Sequence, residues 1–367
     1  MPRKEVDVLI IGLGPAGGNA ALCAAKSGLS VLAIDRKKEI GYPVQCAEFI
    51  PLPLSQYANN KTIRLQSVYE MESVLPSGII EKSKLNGLMI DRAQFDKSFA
   101  DNAKQFGAVI QSGKRLLDLD RENQVAEIMN DASHSEFVSY RYLIAADGPN
   151  STVAACLSLD KLSVIQTRQY TVSLLRKLSN TRVWLSNEYP GGYAWLFPKN
   201  GQANLGVGLD KNLESNLKKP LDSLHQQLIE KKWLGDTVLF KTGGVIPVSG
   251  LRNCIAMKNI FFVGDAAGLT HPITGAGISS AITSAQLAIE HIIENGSDYQ
   301  KAMQNYHDDI HNLYQDSLRI AKLKRQKLAN LWRAQAVDDN LMRQSWIGFD
   351  DYYQENVNQP ILENEYE

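Results

Sequence analysis

The sequence predicts an α/β fold. A parallel-sheet unit is split in sequence around an antiparallel-sheet unit, and helices follow at the C-terminal end. Three observations predict it. The run VDVLIIGLGPAGGNAALCAAKSGLSVLAIDR places Gly12, Gly14 and Gly17 between an apolar strand and an Ala-rich helix. Residues 114–142 and 168–209 alternate in the manner of antiparallel strands. A strongly apolar strand then returns at NIFFVGDAAG and leads into a helix.

The elements follow in order. Residues 6–11 form a strand that enters the G-x-G-x-x-G turn. Gly12 permits the tight turn, Gly14 leaves the backbone open to a pyrophosphate, and Gly17 lets the helix approach the sheet. Pro15 and Ala16 open that helix, where a missing N–H costs nothing. Its free N–H groups and dipole face an anion. Residues 31–34 form the next strand. Asp35 ends it, with Arg36 beside it, and is placed to accept from a ribose 2′-hydroxyl; a 2′-phosphate would be repelled.

A Pro- and Gly-rich loop, EIGYPVQCAEFIPLP, comes next. Residues 61–90 read as short strands with turns at 76–78 and at Asn86 and Gly87. IDRAQFDKSFADNAKQFGAVI reads as an amphipathic helix with Phe95 and Phe99 on one face and Gly107 at its end. YLIAADG is another buried strand. GYAWLFPKNGQANLGVGL reads as a hairpin with Asn200 and Gly201 in the turn. Residues 221–234 and 274–295 read as helices. From about 298 the chain reads as a long polar amphipathic helix, then an acidic tail whose last dozen residues are expected to be disordered. The expected organisation is a discontinuous unit of 1–60, 91–160 and 251–297, a second unit of 61–90 and 161–250, and a helical segment over 298–367.

Composition excludes several classes. The 367 residues are 44% hydrophobic and 22% charged with a net charge of −1, so nothing points to nucleic acid. The first strand begins almost at once, so no leader is expected, and no apolar run approaches membrane-spanning length. The four cysteines are widely spaced, which suits a reducing cytoplasm and no metal site. Cys23, Cys156 and Cys254 read as packing residues. A second G-x-G-x-x-G in strand–helix context is missing. One resident dinucleotide with electrons supplied from outside is therefore expected.

Three motifs together, the glycine turn, Asp147 with Gly148 in LIAADGPNSTVA, and Gly264 with Asp265 in IFFVGDAAGLTHPITGAGI, resemble the flavoprotein superfamily of p-hydroxybenzoate hydroxylase. Within it, PVQCAEF and PGGYAWLFPK resemble the geranylgeranyl reductase family. The resemblance covers most of residues 5–295. It implies a Rossmann-like FAD-binding domain and an FAD site formed by Gly12, Gly14, Pro15, Ala16, Gly17, Asp35, Arg36, Cys46, Ala47, Arg92, Asp147, Gly148, Gly264, Asp265, Gly275, Ala276, Gly277 and Ile278. Ala47 stands where prenyl reductases of the family usually have Gly.

Tyr193, Trp195 and Phe197 lie at i, i+2 and i+4 of a strand and share a face, as a pocket wall or as plain core. Cys46 sits in a polar loop that the resemblance places near the flavin, to donate a proton or to shape the cavity. Trp195 and Tyr193 join it as candidate catalytic residues, the phenol being the weaker acid. His271 and Pro272 are assigned to the substrate pocket, with His271 an acid/base or a backbone-bonded loop histidine. The function implied is reduction of C=C bonds in an isoprenoid or other apolar substrate, with hydride from flavin N5 and electrons from NAD(P)H or a reduced carrier protein. A flavin monooxygenase is the alternative, and a non-catalytic flavin redox sensor a third reading. Residues 318–333 hold six Lys or Arg and no acid, with Leu318, Leu328, Leu331 and Trp332. They read as a docked helix or as a peripheral membrane contact for a cytoplasmic protein.

Overall fold

The computed structural model describes residues 4–129, 134–334 and 336–354. The chain opens with β1 (Lys4–Ile11), α1 (Pro15–Lys26), β2 (Val31–Asp35), β3 (Phe49–Pro51), β4 (Arg64–Val74), β5 (Ile80–Ile90) and α2 (Arg92–Gln105). Then come β6 (Val109–Ser112), β7 (Arg115–Asp120), β8 (Val125–Met129), β9 (Ser135–Ala145), α3 (Thr152–Cys156), β10 (Val164–Leu174) and β11 (Thr181–Trp184). They are followed by β12 (Tyr193–Lys199), β13 (Gln202–Leu209), α4 (Lys218–Glu230), β14 (Leu234–Pro247), β15 (Ala256–Met257) and β16 (Ile260–Phe262). The chain continues through α5 (Ile278–Asn295), α6 (Tyr299–Ala334), α7 (Asp339–Ser345) and α8 (Asp351–Gln354).

Two sheets result. In the first, the order β16-β9-β1-β2-β6 is parallel throughout, with β15 antiparallel on the β16 edge and β7–β8 attached to β9. Its strands carry near-continuous apolar runs because α1 and other helices cover them. Tyr306 of α6 anchors there by donating to the Phe262 carbonyl at 2.6 Å. The second sheet runs β14-β10-β13-β12-β11-β4-β5-β3 and is antiparallel except between β4 and β11.

Alternation decides what each face of the second sheet meets. Ala194 and Leu196 of β12 and Ala203, Leu205, Val207 and Leu209 of β13 pack with Leu221, Leu224 and Leu228 of α4. Tyr193, Trp195 and Phe197 point to the other face. There Gly206 makes room: a Cβ on it would lie 2.2 Å from the Trp195 indole. Gly206 thus serves ring packing, while a Cβ on Gly208 would meet its neighbours at ordinary contact distance. The β12–β13 hairpin turns at Asn200 and Gly201, both at positive φ, as expected.

Several expectations are corrected. Residues 64–90 form two 11-residue strands, and Asn86 and Gly87 lie inside β5. Gly87 is there because Phe49 packs on it: a Cβ would meet that ring at 2.3 Å. The helix expected over 221–234 ends at Glu230, and β14 begins at Leu234. Residues from Asp338 to Gln354 fold onto the second sheet, burying Met342, Trp346, Phe349 and Tyr352. The expected disorder over 356–367 lies outside the described residues.

The basic helix segment is docked. Leu318 is buried with the first sheet, and Leu328, Leu331 and Trp332 pack against the cluster around Trp195 and Trp346. Leu323 of the same segment stays exposed. No helix among the described residues is long and apolar enough to cross one.

Candidate active site

A cavity of about 510 Å³ runs between the two sheets. At one end stands the glycine turn. Gly12 has φ +100°, and a Cβ on it would lie 2.4 Å from the Ala146 carbonyl oxygen. A Cβ on Gly17 would lie 1.9 Å from the Gly12 oxygen, so this glycine lets helix and turn pack, as expected, and does not line the cavity. Gly14 has nothing within 4 Å of that position and caps α1 without a side-chain bond. The helix N-terminus is thus left open to an anion. Asp35 holds the turn by accepting from the Leu13 N–H at 2.8 Å and from the Lys37 N–H at 2.8 Å.

Asp147 supports the same end. Its Oδ2 accepts from the Thr152 and Val153 N–H groups at 2.6 and 3.1 Å, while its buried Oδ1 has no protein partner. Gly148, at φ +82°, faces open space. Asp265 accepts from the Thr270 hydroxyl at 2.5 Å, and burial raises its carboxyl above the usual range. Gly277 caps α5 without a side-chain bond, so a second helix N-terminus opens on the cavity beside Gly275, Ala276 and Ile278. Gly264 packs against Ala16 and Ala281 instead. Two uncapped helix ends, an orphaned carboxylate oxygen and a side-chain-free turn fit a long dianionic dinucleotide such as FAD.

Arg92 is a cavity residue. Its guanidinium donates to both Asp96 oxygens at 2.8 and 3.1 Å, and its side chain is 15% exposed. Burial works against its charge, but Asp96 and Cys46 outweigh burial and raise its pKa. Pro15, Ala16, Arg36, Cys46 and Ala47 also line the cavity.

The loop carrying Cys46 hangs on the second sheet. Gln169 donates to the Cys46 carbonyl at 3.0 Å and accepts from the Trp195 indole at 3.0 Å. Asn204 donates to the Ala47 carbonyl at 3.2 Å, and Gln45 donates to the Gly243 carbonyl at 2.5 Å. Glu48 is the hub. It is 2% exposed and sits at φ +69°, an unusual place for a side chain larger than Asn. Its carboxylate binds Lys199, accepts from Asn204 at 2.7 Å and from the Arg92 N–H at 3.0 Å. Its own N–H donates to Cys46 Sγ at 3.2 Å. Sequence reasoning missed Glu48 because its partners lie far along the chain. The acid two residues after Cys46 was the available signal.

At the far end, Tyr193, Trp195 and Phe197 form an aromatic wall with Met71, Leu85, Val183 and Trp346. Tyr193 donates to the Thr274 carbonyl at 2.5 Å, and burial raises its pKa. Burial also raises the Cys46 thiol. Trp346 was not expected here; it arrives from the C-terminal segment. His271 and Pro272 do not line the cavity. The His271 Nδ1 accepts from the Ile273 and Thr274 N–H groups at 3.4 and 3.3 Å, and burial pushes its pKa down to about 4. It is a backbone-bonded loop histidine. Among the described residues no His, Cys, Asp or Glu cluster is arranged to hold a metal.

Several known proteins are similar to this chain. A family model described as an FAD binding domain matches residues 81–321. The digeranylgeranylglycerophospholipid reductase of Methanocella arvoryzae is 31% identical over 339 residues, 86% of this chain and 85% of that protein. Its counterpart in Thermoplasma acidophilum is 33% identical over 355 residues, 89% of each. A solved geranylgeranyl bacteriochlorophyll reductase-like protein from Thermoplasma acidophilum superposes with a TM-score of 0.82 at 29% identity, covering 90% of this chain and 91% of that one. A flavin-dependent brominase shares the fold, with a TM-score of 0.72 at 19% identity over 96% of this chain and 91% of its own. With its glycine turn, its aromatic wall and its cysteine loop in one cavity, this chain belongs to the geranylgeranyl reductase family of FAD-dependent oxidoreductases.

Proposed function

We propose that this enzyme saturates C=C bonds in isoprenoid chains carried on a polar lipid. The observation that carries this reading is the aromatic and aliphatic wall that continues the cavity beyond the cysteine loop. A branched hydrocarbon gains free energy there by leaving water. The names of the relatives, lipid reductases over most of their length, support the same class.

In this reading Gly12, Gly14 and the α1 N-terminus hold the FAD pyrophosphate, and Asp35 holds the adenosine ribose. Asp147, Asp265 and Arg92 fix the rest of the cofactor, and the α5 N-terminus offers N–H groups where negative charge collects on reduction. Bound FAD, once reduced, supplies hydride at N5. Electrons come from NAD(P)H or a reduced carrier protein. The proton for the second carbon comes from Cys46. Its raised pKa keeps Sγ protonated at neutral pH, the Glu48 N–H donates to Sγ, and Gln169 holds the Cys46 carbonyl. Tyr193 is a wall residue here, because its hydroxyl is committed to Thr274. Residues 1–60, 91–160 and 251–297 serve the cofactor, 61–90 and 161–250 the substrate.

The test is anaerobic. FAD-loaded enzyme is reduced chemically and mixed with a geranylgeranylated glycerophospholipid, and products are read by mass. Gain of two hydrogens per bond is expected, with Cys46→Ser slower by about 10²-fold. A product that needs oxygen and gains an oxygen atom would refute the reductase reading. Unchanged Cys46→Ser turnover would remove the thiol from the chemistry.

A further inference from the structure

Two cavities meet at one wall. The large cavity and a smaller one of about 30 Å³ share Tyr193 and Trp346. The two rings meet edge to face, with centroids 5.0 Å apart and planes at 70°. Beyond them the small cavity is lined by Leu185, Ile273, Leu328, Trp332 and Met342. Arg325 also lines it, with its guanidinium 3.7 Å from Asp210 and 3.5 Å from the Pro272 carbonyl.

The two partition residues are held differently. Tyr193 is tied by its hydroxyl to Thr274. Trp346 is 4% exposed, yet its indole N–H makes no hydrogen bond. Packing alone fixes that ring. Its backbone lies just past α7, in extended conformation at φ −108° and ψ 125°.

We propose that Trp346 sets the length of apolar chain the site accepts, by closing the substrate chamber off from a distal apolar pocket. The proposal rests on the apolar-substrate reading above. With the indole in place, a chain ends at the Tyr193–Trp346 wall. With the indole shortened, the end of a longer chain enters the space beside Leu328 and Met342. Specificity for length thus comes from the C-terminal segment, outside the sheet that carries the aromatic motif.

Binding of farnesol and geranylgeraniol to the FAD-loaded full chain tests this, read as perturbation of the flavin absorbance and without turnover. Trp346→Ala should raise the preference for geranylgeraniol over farnesol about tenfold, the effect of burying roughly two further methylenes. Trp346→Phe should give an intermediate shift. Adding Leu328→Phe to Trp346→Ala should return the preference to the wild-type value by refilling the pocket. An unchanged preference in both single variants, or equal weakening for both alcohols, overturns the proposal while leaving the apolar-substrate reading in place. No binding of either alcohol by any form, wild type included, overturns that reading and this one together.

Discussion

Glu48 shows how one residue ties two regions together. It accepts strain at positive φ, buries a carboxylate, and in return joins the Cys46 loop, the start of α2 and Lys199 at the end of the aromatic strand. Removing one partner of a buried pair leaves the other charge uncompensated. Glu48→Gln should therefore destabilise the protein by about 3 kcal/mol in denaturant unfolding. Glu48 also contributes to the raised pKa of the thiol, so the same variant should move the pH profile of Cys46 alkylation downward. A purely structural role would leave that profile in place. Glycines with a job in a local turn were legible in the sequence. Glu48 was not, since the Glu48–Lys199 link spans 151 positions.

At the scale of elements, the loop before α5 has its own device. His271 offers Nδ1 to two backbone N–H groups, and burial keeps the ring neutral, with a pKa near 4. The unfolded chain, with a histidine near 6.5, binds that proton more readily. The His271 contribution to stability is thus complete above about pH 6.5 and is lost as pH falls toward 4, by up to about 3 kcal/mol. His271→Asn keeps an acceptor in the place of Nδ1 without the titration. Its unfolding midpoint should vary less than that of wild type between pH 6.5 and 4.5. Equal slopes would refute the assignment. Hairpins and apolar strands were readable from alternation and turn residues, as β12 and β13 demonstrate. The error at Asn86 and Gly87 has a physical cause: a glycine that admits a distant ring looks, locally, like a glycine that makes a turn.

For the whole molecule, the segment from Val337 to Gln354 closes the second sheet. Asp339 accepts from the Ser77 N–H and hydroxyl at 2.9 and 2.6 Å, Asn187 exchanges two bonds with Val337, and Arg343 pairs with Glu81. Met342, Trp346 and Phe349 lie beneath. Ending the chain after Ala336 should lower the melting temperature by at least about 5 °C and weaken geranylgeraniol binding by more than about tenfold. Retention of both would show the segment to be dispensable. Its acids and short helices concealed this role, because each helix is too brief to show a periodic apolar face.

The way the Cys46 loop is hung also orders the making of the enzyme. Its ties come from residues 123 to 198 positions later. A nascent chain that has only reached α3 already holds the whole glycine turn and the tie from Arg92 to Glu48, but none of the loop's anchors on β10, β13 and β14. The pyrophosphate end of the cradle is thus synthesised well before the anchors of the cysteine loop. The interval between them is the time the ribosome needs to deliver β10 through β14.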